Sequence, residues 1–412
     1  MSTLKIISRD GGVFNHFIEK ASEKFRNLHN LPDFTVEVIE EEVHTLYMNM
    51  VNNKGMLDDN IDIMTTVTDW YPEIFEKKLA TLLNPYIAKD PPEGWSDGWP
   101  QSLLQLQKSN NNIFGLPLHD GPEVLITRKD LFESQDNRNK FYNEYGYSLK
   151  PPTNWSEFLD IALFFNDPTN GMWGTITAGL PNAHNNVYDF LIQLWSRGGE
   201  FLNNSNKIAM FDNNIGEESL QFMVDLIHKY KVVPKESLKW DSLGSGIFFA
   251  DGKAAMMWNW IGFASMAQKL DSSKVRGQVQ CHLIPKSENL KDNISLNVYW
   301  AYSIPQGSKN KDLAYKFIKF LCSEEMDYLS TTFGMSGTRI STWNNPKLLE
   351  SNPEYSIMEE SHKGAKTLPK ITEGTPIIEI LNLMVDDAIN LRTSPKEAIS
   401  DAVQKINKIL NK

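Results

Sequence analysis

The chain has 412 residues, with 41 Lys and Arg against 52 Asp and Glu, for a formal net charge of −11. That length exceeds one ordinary hydrophobic core and points to two domains of roughly 150–200 residues each. The acidic balance argues against nucleic acid as a partner, since like charge is repelled by a phosphate backbone, and 41% hydrophobic with 11% aromatic residues argues against disorder.

The first forty residues read as strand, helix, strand. Leu4–Ser8 is a short apolar run, and Arg9-Asp10-Gly11-Gly12 is a turn. Phe14, Phe17, Ile18, Ala21 and Phe25 then recur at helical spacing on one face. Val36 and Val38 alternate with Thr35 and Glu37 in a second strand, and Ile61–Val67 makes a third. Strands joined in this way run parallel with a right-handed crossover. The fold class is therefore α/β, a doubly wound sheet flanked by helices. In such sheets ligands gather beyond the carboxyl ends of the strands. Those places hold Arg9 and Asp10, then Glu41 to His44, then Asp69 and Trp70. The Gly-rich turn that opens the first helix is also a candidate anion site.

A proline-rich stretch, "DPPEGWSDGWP", precedes a helix at about 102–107. "FGLPLHDGPEVLITRKDLF" has strand character on both sides of His119-Asp120-Gly121-Pro122. In "KPPTNWSEFLDIALFF", Asn154 and Glu157 have the spacing of a capping pair, with Trp155, Phe158, Leu159 and Ala162 as the buried stripe. Tyr188, Leu191, Ile192 and Trp195 form another stripe, stopped by Gly198-Gly199. Leu220, Met223, Val224 and Ile227 form a third. The stretch from about 376 to 410 is helical, with a break at Ser394-Pro395. Internal repeats and low-complexity segments are absent.

Enzyme signatures are scarce. The sequence has no GxSxG elbow, P-loop, GxGxxG or HExxH motif. Gly244-Ser245-Gly246 reads as a loop. Cys281 and Cys322 lack zinc spacing and are either free thiols or one disulfide. No metal and no cofactor is expected. Glu40-Glu41-Glu42 and Glu359-Glu360 have the residue types of a glycosidase acid and nucleophile, although adjacent acids are usually a solvated face. His119 and Asp120 admit four readings: a catalytic dyad, half of a metal site, a ligand contact or a solvated turn. Neighbours in an extended chain point to opposite faces, which disfavours the dyad. Binding fits better. Trp258 and Trp260 flank Asn259 in "AAMMWNWIGF", where two rings and an amide can hold a sugar by stacking and hydrogen bonds. Tyr299-Trp300 is a similar pair at the start of a buried strand, Ala301–Ile304. Arg9, Arg128, Arg197 and Arg339 leave room for an acidic sugar.

Several stretches together resemble the family 1 extracellular solute-binding proteins, the maltose-binding-protein-like, substrate-capturing components of ABC sugar importers. "FGLPLHDGPEVLITRKDLF" resembles that family's "YGLP…VLYYNKDLF", and "PPTNWSEFLDIA" its "PPTTWDEF" helix. "LIQLWSRGGEFL" is similar to "LWSNGGEF", and "FFADGKAAMMWNW" to "F..GKAAM". "SLQFMVDL" with its following "VVP" and "SIPQGSKNKDLAYKFIKFLCSEE" complete the series, in the family's order from about residue 114 to 325.

The resemblance implies a two-lobed periplasmic-binding-protein fold, each lobe built on a mostly parallel sheet, closing on ligand in the cleft between them. It places the N-terminal lobe at 1–118 and 301–335 and the C-terminal lobe at 122–297 and 337–412. The hinge crossings fall near 118–122, 297–301 and 333–337. It implies no catalysis, a carbohydrate ligand, a transmembrane permease as partner and a monomer. Carried over residue by residue, the ligand contacts are Arg9, Asp10, Glu41, His44, Asp69, Trp70, His119, Asp120, Trp195, Trp258, Asn259, Trp260, Trp300 and Arg339. Trp195 also completes a buried stripe. No run of 18 apolar residues and no basic-then-apolar leader is present. The family likeness implies the extracellular face of the membrane or the periplasm. The rival readings are a glycoside-active enzyme with two carboxylates, or a receptor for a polyamine, amino acid or peptide.

Overall fold

A computed structural model describes residues 2–109, 111–181 and 185–411. The chain divides into two compact units. One comprises Met1–Gly121, Asn297–Ser351 and Lys370–Thr372; the other comprises Pro122–Leu296, Asn352–Pro369 and Glu373–Lys412.

The first unit is built on a five-stranded sheet in the order Phe34–Glu41, Ser2–Arg9, Ile63–Val67, Trp300–Ser303, Leu116–His119. The first three strands pair in parallel, joined by a helix, Val13–Leu28, whose Phe14, Phe17, Ile18, Ala21 and Phe25 are buried. Trp300–Ser303 runs antiparallel to both its neighbours. Its first residue therefore sits where the other four strands end. Trp300 pairs with Val67 on one side and His119 on the other. One edge of this sheet thus collects Arg9, Glu41, Thr68 to Trp70, His119 and Trp300.

Gly11 and Gly12 take φ of 103° and 74°, the left-handed region that glycine enters at low cost, and so turn the chain from strand into helix. The helix carries no side-chain cap of its own. The Glu40 carboxylate accepts from the Gly12 N–H at 2.9 Å instead. The anion site expected at this turn is therefore filled by the protein's own carboxylate.

The second unit departs from a mostly parallel sheet. Its four strands run in the order Val279–His282, Glu123–Arg128, Ala254–Trp260, Trp173–Ile176. The first two pairings are antiparallel and only the last is parallel. The helix Trp155–Phe165 begins at Asn154, whose side chain accepts from the Glu157 N–H at 2.9 Å, as the capping spacing predicts. Asn186–Ser196 is buried on every side, including Asn186, Asp189, Gln193 and Ser196. The C-terminal helices Gly374–Ile389 and Pro395–Leu410 are separated at Ser394, which forms a capping box with Glu397. Gly244-Ser245-Gly246 is helical rather than a loop. It lies in Ser242–Ala250, started by the Asp241 cap on the Gly244 N–H.

The third crossing also differs from expectation. Residues 337–351 pack within the first unit, and the chain leaves it after Ser351 rather than near 333–337. Side chains hold this segment in place. Asp327 accepts from the backbone N–H groups of Thr338 and Arg339, at 2.9 and 3.1 Å. The Ile340 N–H donates to the Gly98 carbonyl at 3.0 Å.

Candidate functional site

In the first unit, Trp300 is the centre of an aromatic cluster that makes the candidate site. The antiparallel entry of its strand delivers a half-buried indole to the edge where the parallel strands end. Phe14 meets it edge-on at 5.6 Å between centroids and Trp70 at 6.1 Å. The Arg9 guanidinium lies over the same ring, 5.6 Å from its centroid. Tyr47 packs behind Trp70 at 5.5 Å and is itself fixed by its hydroxyl, which donates to Glu73 at 2.7 Å. An indole held at its edges by two rings keeps one orientation.

His119 completes the group. It lies 5.4 Å from Phe14, and its Nδ1 accepts from the Ser336 N–H at 2.8 Å. The Asp120 N–H donates back to the Ser336 carbonyl at 3.2 Å. This clasp fixes the imidazole tautomer: Nδ1 is the acceptor, so Nε2 carries the proton. Burial pushes the His119 pKa down to about 4, with the Arg9 charge acting the same way and the Asp120 charge opposing. At neutral pH the ring is an uncharged donor. Asp120 is fully buried at this end of the strand.

Asp10, Glu41, His44 and Asp69 follow the same strand ends. Asp10 and His44 are exposed, and Asp69 is half-buried in the turn Thr68–Trp70. Glu41 is engaged by Asn49, whose Nδ2 lies 3.1 Å from both carboxylate oxygens. The acids offered as a glycosidase pair have local work. Glu40 caps Gly12, Glu42 caps the short helix Val43–Tyr47, and Glu360 is bound by Lys363 and Asn293. Among the described residues, no group of three or more His, Cys, Asp or Glu is arranged to hold a metal ion.

In the second unit, Trp260 ends its strand half-buried and edge-on to Tyr188 at 5.5 Å. Glu123 stands directly opposite it across the antiparallel ladder. Asp189 lies on the same face, where it accepts from the Trp258 indole at 2.6 Å.

The model of the bacterial extracellular solute-binding protein family matches residues 54–328. The chain belongs to this family. It is 21% identical to a probable amino-acid ABC transporter periplasmic-binding protein of Sinorhizobium fredii, over 99% of this chain and 89% of that one. It is also 21% identical to an arabinooligosaccharide-binding protein of Bacillus subtilis, over 80% of this chain and 75% of that one. Among solved structures, maltose-bound MalE3 of T. maritima superposes with a TM-score of 0.86 at 23% identity, covering 99% of this chain and 100% of that one. That likeness establishes a shared α/β fold. No helix among the described residues is long and apolar enough to cross a membrane.

Four residues expected at the site of this solute-binding protein have other roles. Arg339 is 1% exposed. Its Nη1 donates to the carbonyls of Glu93 and Cys322 at 3.0 and 2.9 Å, and its guanidinium stacks 4.3 Å from the Trp99 centroid. Trp258 is wedged between Trp155 and Phe158 in the core, because its place inside the strand points it under the Trp155–Phe165 helix. Asn259 is consumed by its own surroundings, with Nδ2 donating to the Ser242 carbonyl and Oδ1 accepting from the Trp260 N–H. Trp195 is buried in its all-buried helix, with Lys366 5.8 Å from its ring centroid. Two further arginines are also engaged elsewhere. Arg128 pairs with Asp130, and Arg197 lies over Trp155 and Phe222. Of the four arginines considered for an acidic ligand, only Arg9 stands in the aromatic cluster.

Sequence reasoning missed Phe14, Tyr47, Tyr188, Glu123 and Asp189. Phe14 was legible only as a core residue of its helical stripe. The two acids carried a weak signal: each is a lone carboxylate inside an apolar segment.

Proposed function

We propose that this solute-binding protein is the substrate-capturing component of an ABC importer and that its ligand is a carbohydrate. The observation that carries the proposal is the Trp300 group. A fixed indole at the carboxyl ends of the strands is ringed by Phe14, Trp70, a neutral donor in His119 and a cation in Arg9. An apolar ring face with few directed polar groups around it suits the C–H face and hydroxyls of a sugar. The relatives that bind maltose and arabino-oligosaccharides support the same substrate class.

On this reading the protein acts as a monomer outside the cytoplasmic membrane, delivers its ligand to permease subunits and performs no catalysis. Asp10, Glu41, His44, Asp69 and Asp120 supply hydroxyl contacts around the indole; in the second unit, Trp260 offers an aromatic face of its own.

A second reading is favoured by one specific observation, the amino-acid assignment of the Sinorhizobium relative that spans nearly the whole chain. Mass spectrometry of ligand released from the denatured protein separates the two. Recovery of a saccharide, with calorimetric rebinding and no turnover on a glycoside panel, supports the carbohydrate receptor. Recovery of an amino acid or polyamine without saccharide refutes it.

A further inference from the structure

The second unit contains a buried acid pair that the family likeness does not account for. Glu123 opens its strand, and Asp189 lies in the first turn of helix Asn186–Ser196. They are 3% and 5% exposed. Asp189 accepts two hydrogen bonds, from the Trp258 indole at 2.6 Å and from the Ala178 N–H at 3.3 Å. Glu123 Oε2 is buried with no hydrogen-bond partner among the described residues. The ionisable group that acts on Glu123 is Asp189. Neutral groups lie beside the pair: Trp258, which donates to Asp189, Trp260 opposite Glu123, and Ser295, which bonds the Glu123 carbonyl. No Lys, Arg or His among the described residues pairs with either carboxyl.

Two buried carboxyls that repel one another, with no cation among the described residues paired to either, do not both ionise. The donors on Asp189 stabilise charge there, so the remaining proton belongs to Glu123. Burial and the Asp189 charge hold Glu123 well above the usual carboxylate range, whereas Asp189 is pushed up to about 7 by burial, against its two donors. A protonated carboxyl offers an O–H donor together with an acceptor. Residues directly opposite in an antiparallel pair share a face of the sheet, which puts this neutral acid beside the Trp260 ring.

We propose that Glu123 is a specificity-determining residue of the second unit. As a neutral acid it hydrogen-bonds a hydroxyl of an uncharged, polyhydroxylated ligand seated on Trp260, with Asp189 as the positioning residue beside it. This rests on the carbohydrate reading and narrows it. A ligand that brought an ammonium group to the same place would displace the proton and bind better as the pair ionised.

The test is calorimetry on the full chain with maltose and arabinotriose between pH 6 and 10, for wild type, Glu123→Gln and Glu123→Ala. The amide keeps a donor and an acceptor, so Glu123→Gln should bind within about threefold of wild type and without pH dependence. Glu123→Ala should lose about tenfold or more. Wild-type affinity should fall with rising pH, by up to about tenfold per unit once Glu123 loses its proton. If Glu123→Ala does not fold, the pH profiles of wild type and Glu123→Gln decide. Saccharide binding that is unchanged by Glu123→Ala, or that rises with pH and is lost in Glu123→Gln, overturns this inference alone. A wild type that binds neither saccharide but takes an amino acid or polyamine overturns the carbohydrate reading, and this inference with it.

Discussion

Trp300→Ala removes the indole on which the proposed site depends. Two edge-on aromatic contacts, with Phe14 and Trp70, are each worth about 0.5–1.5 kcal/mol beyond area burial. The Arg9 guanidinium over the ring adds about 0.5–1 kcal/mol at a partly exposed position. The first unit should therefore lose about 1.5–4 kcal/mol of stability, lowering its melting temperature by several degrees. Affinity should suffer more. Truncating a central aromatic anchor costs about 2 kcal/mol or more, roughly thirtyfold in Kd. Trp300→Phe keeps an aromatic face and should recover much of the binding. The assay is calorimetry with the saccharide identified by mass spectrometry, alongside thermal unfolding of the same samples. An Ala variant that melts lower but binds with unchanged Kd refutes the placement of Trp300 in the site and leaves it a packing residue.

Four further outcomes follow from the geometry. Trp258→Ala should cost about 3–5 kcal/mol of stability, as for a large core truncation, and also strip Asp189 of its indole donor. Trp260→Ala, two residues on and half-buried, should spare stability and cost about 1–3 kcal/mol of binding energy; equal melting temperatures for the two variants would contradict the assignment. Arg339→Met should lower stability by at least about 3 kcal/mol, since two buried carbonyls lose a charged donor, while saccharide affinity stays near wild type once the protein is folded. His119 titrates at about 4 in the folded chain against an ordinary 6.5, so the unfolded chain binds more protons between those values. Its contribution is full above about 6.5 and is lost as pH falls towards 4, by at most about 3 kcal/mol and less for the exposed edge of the ring. His282 acts with the same sign, and the Glu123–Asp189 pair with the opposite one. The His119 share is therefore read as the difference between wild type and His119→Gln in denaturant titrations across that range, and identical pH slopes would remove it.

Much of the architecture lies within local sequence. The Phe14 to Phe25 stripe, the Asn154 cap and the strand at 63–67 are set by period and capping chemistry, which act over a few residues. Arg9, Asp10, Glu41, Asp69 and Trp70 could be nominated because parallel strands joined by crossovers end at one edge, and chain order alone gives that edge.

Which side chains face that edge was settled by contacts between distant residues. Trp300 reaches it because its strand enters antiparallel between Val67 and His119. His119 becomes a neutral donor because Ser336, 217 residues further along the chain, donates to its Nδ1. Trp258 and Trp260 have the same composition and adjacent same-face positions, yet one is 2% exposed core and the other ends the strand. Arg339 looks free in sequence and is buried by carbonyls of Glu93 and Cys322. Local sequence determined which residues form helices and strands, because propensity and period act over one or two turns. Tertiary structure decided which polar groups remain available to a ligand, because burial and hydrogen-bond satisfaction depend on partners far away in the chain.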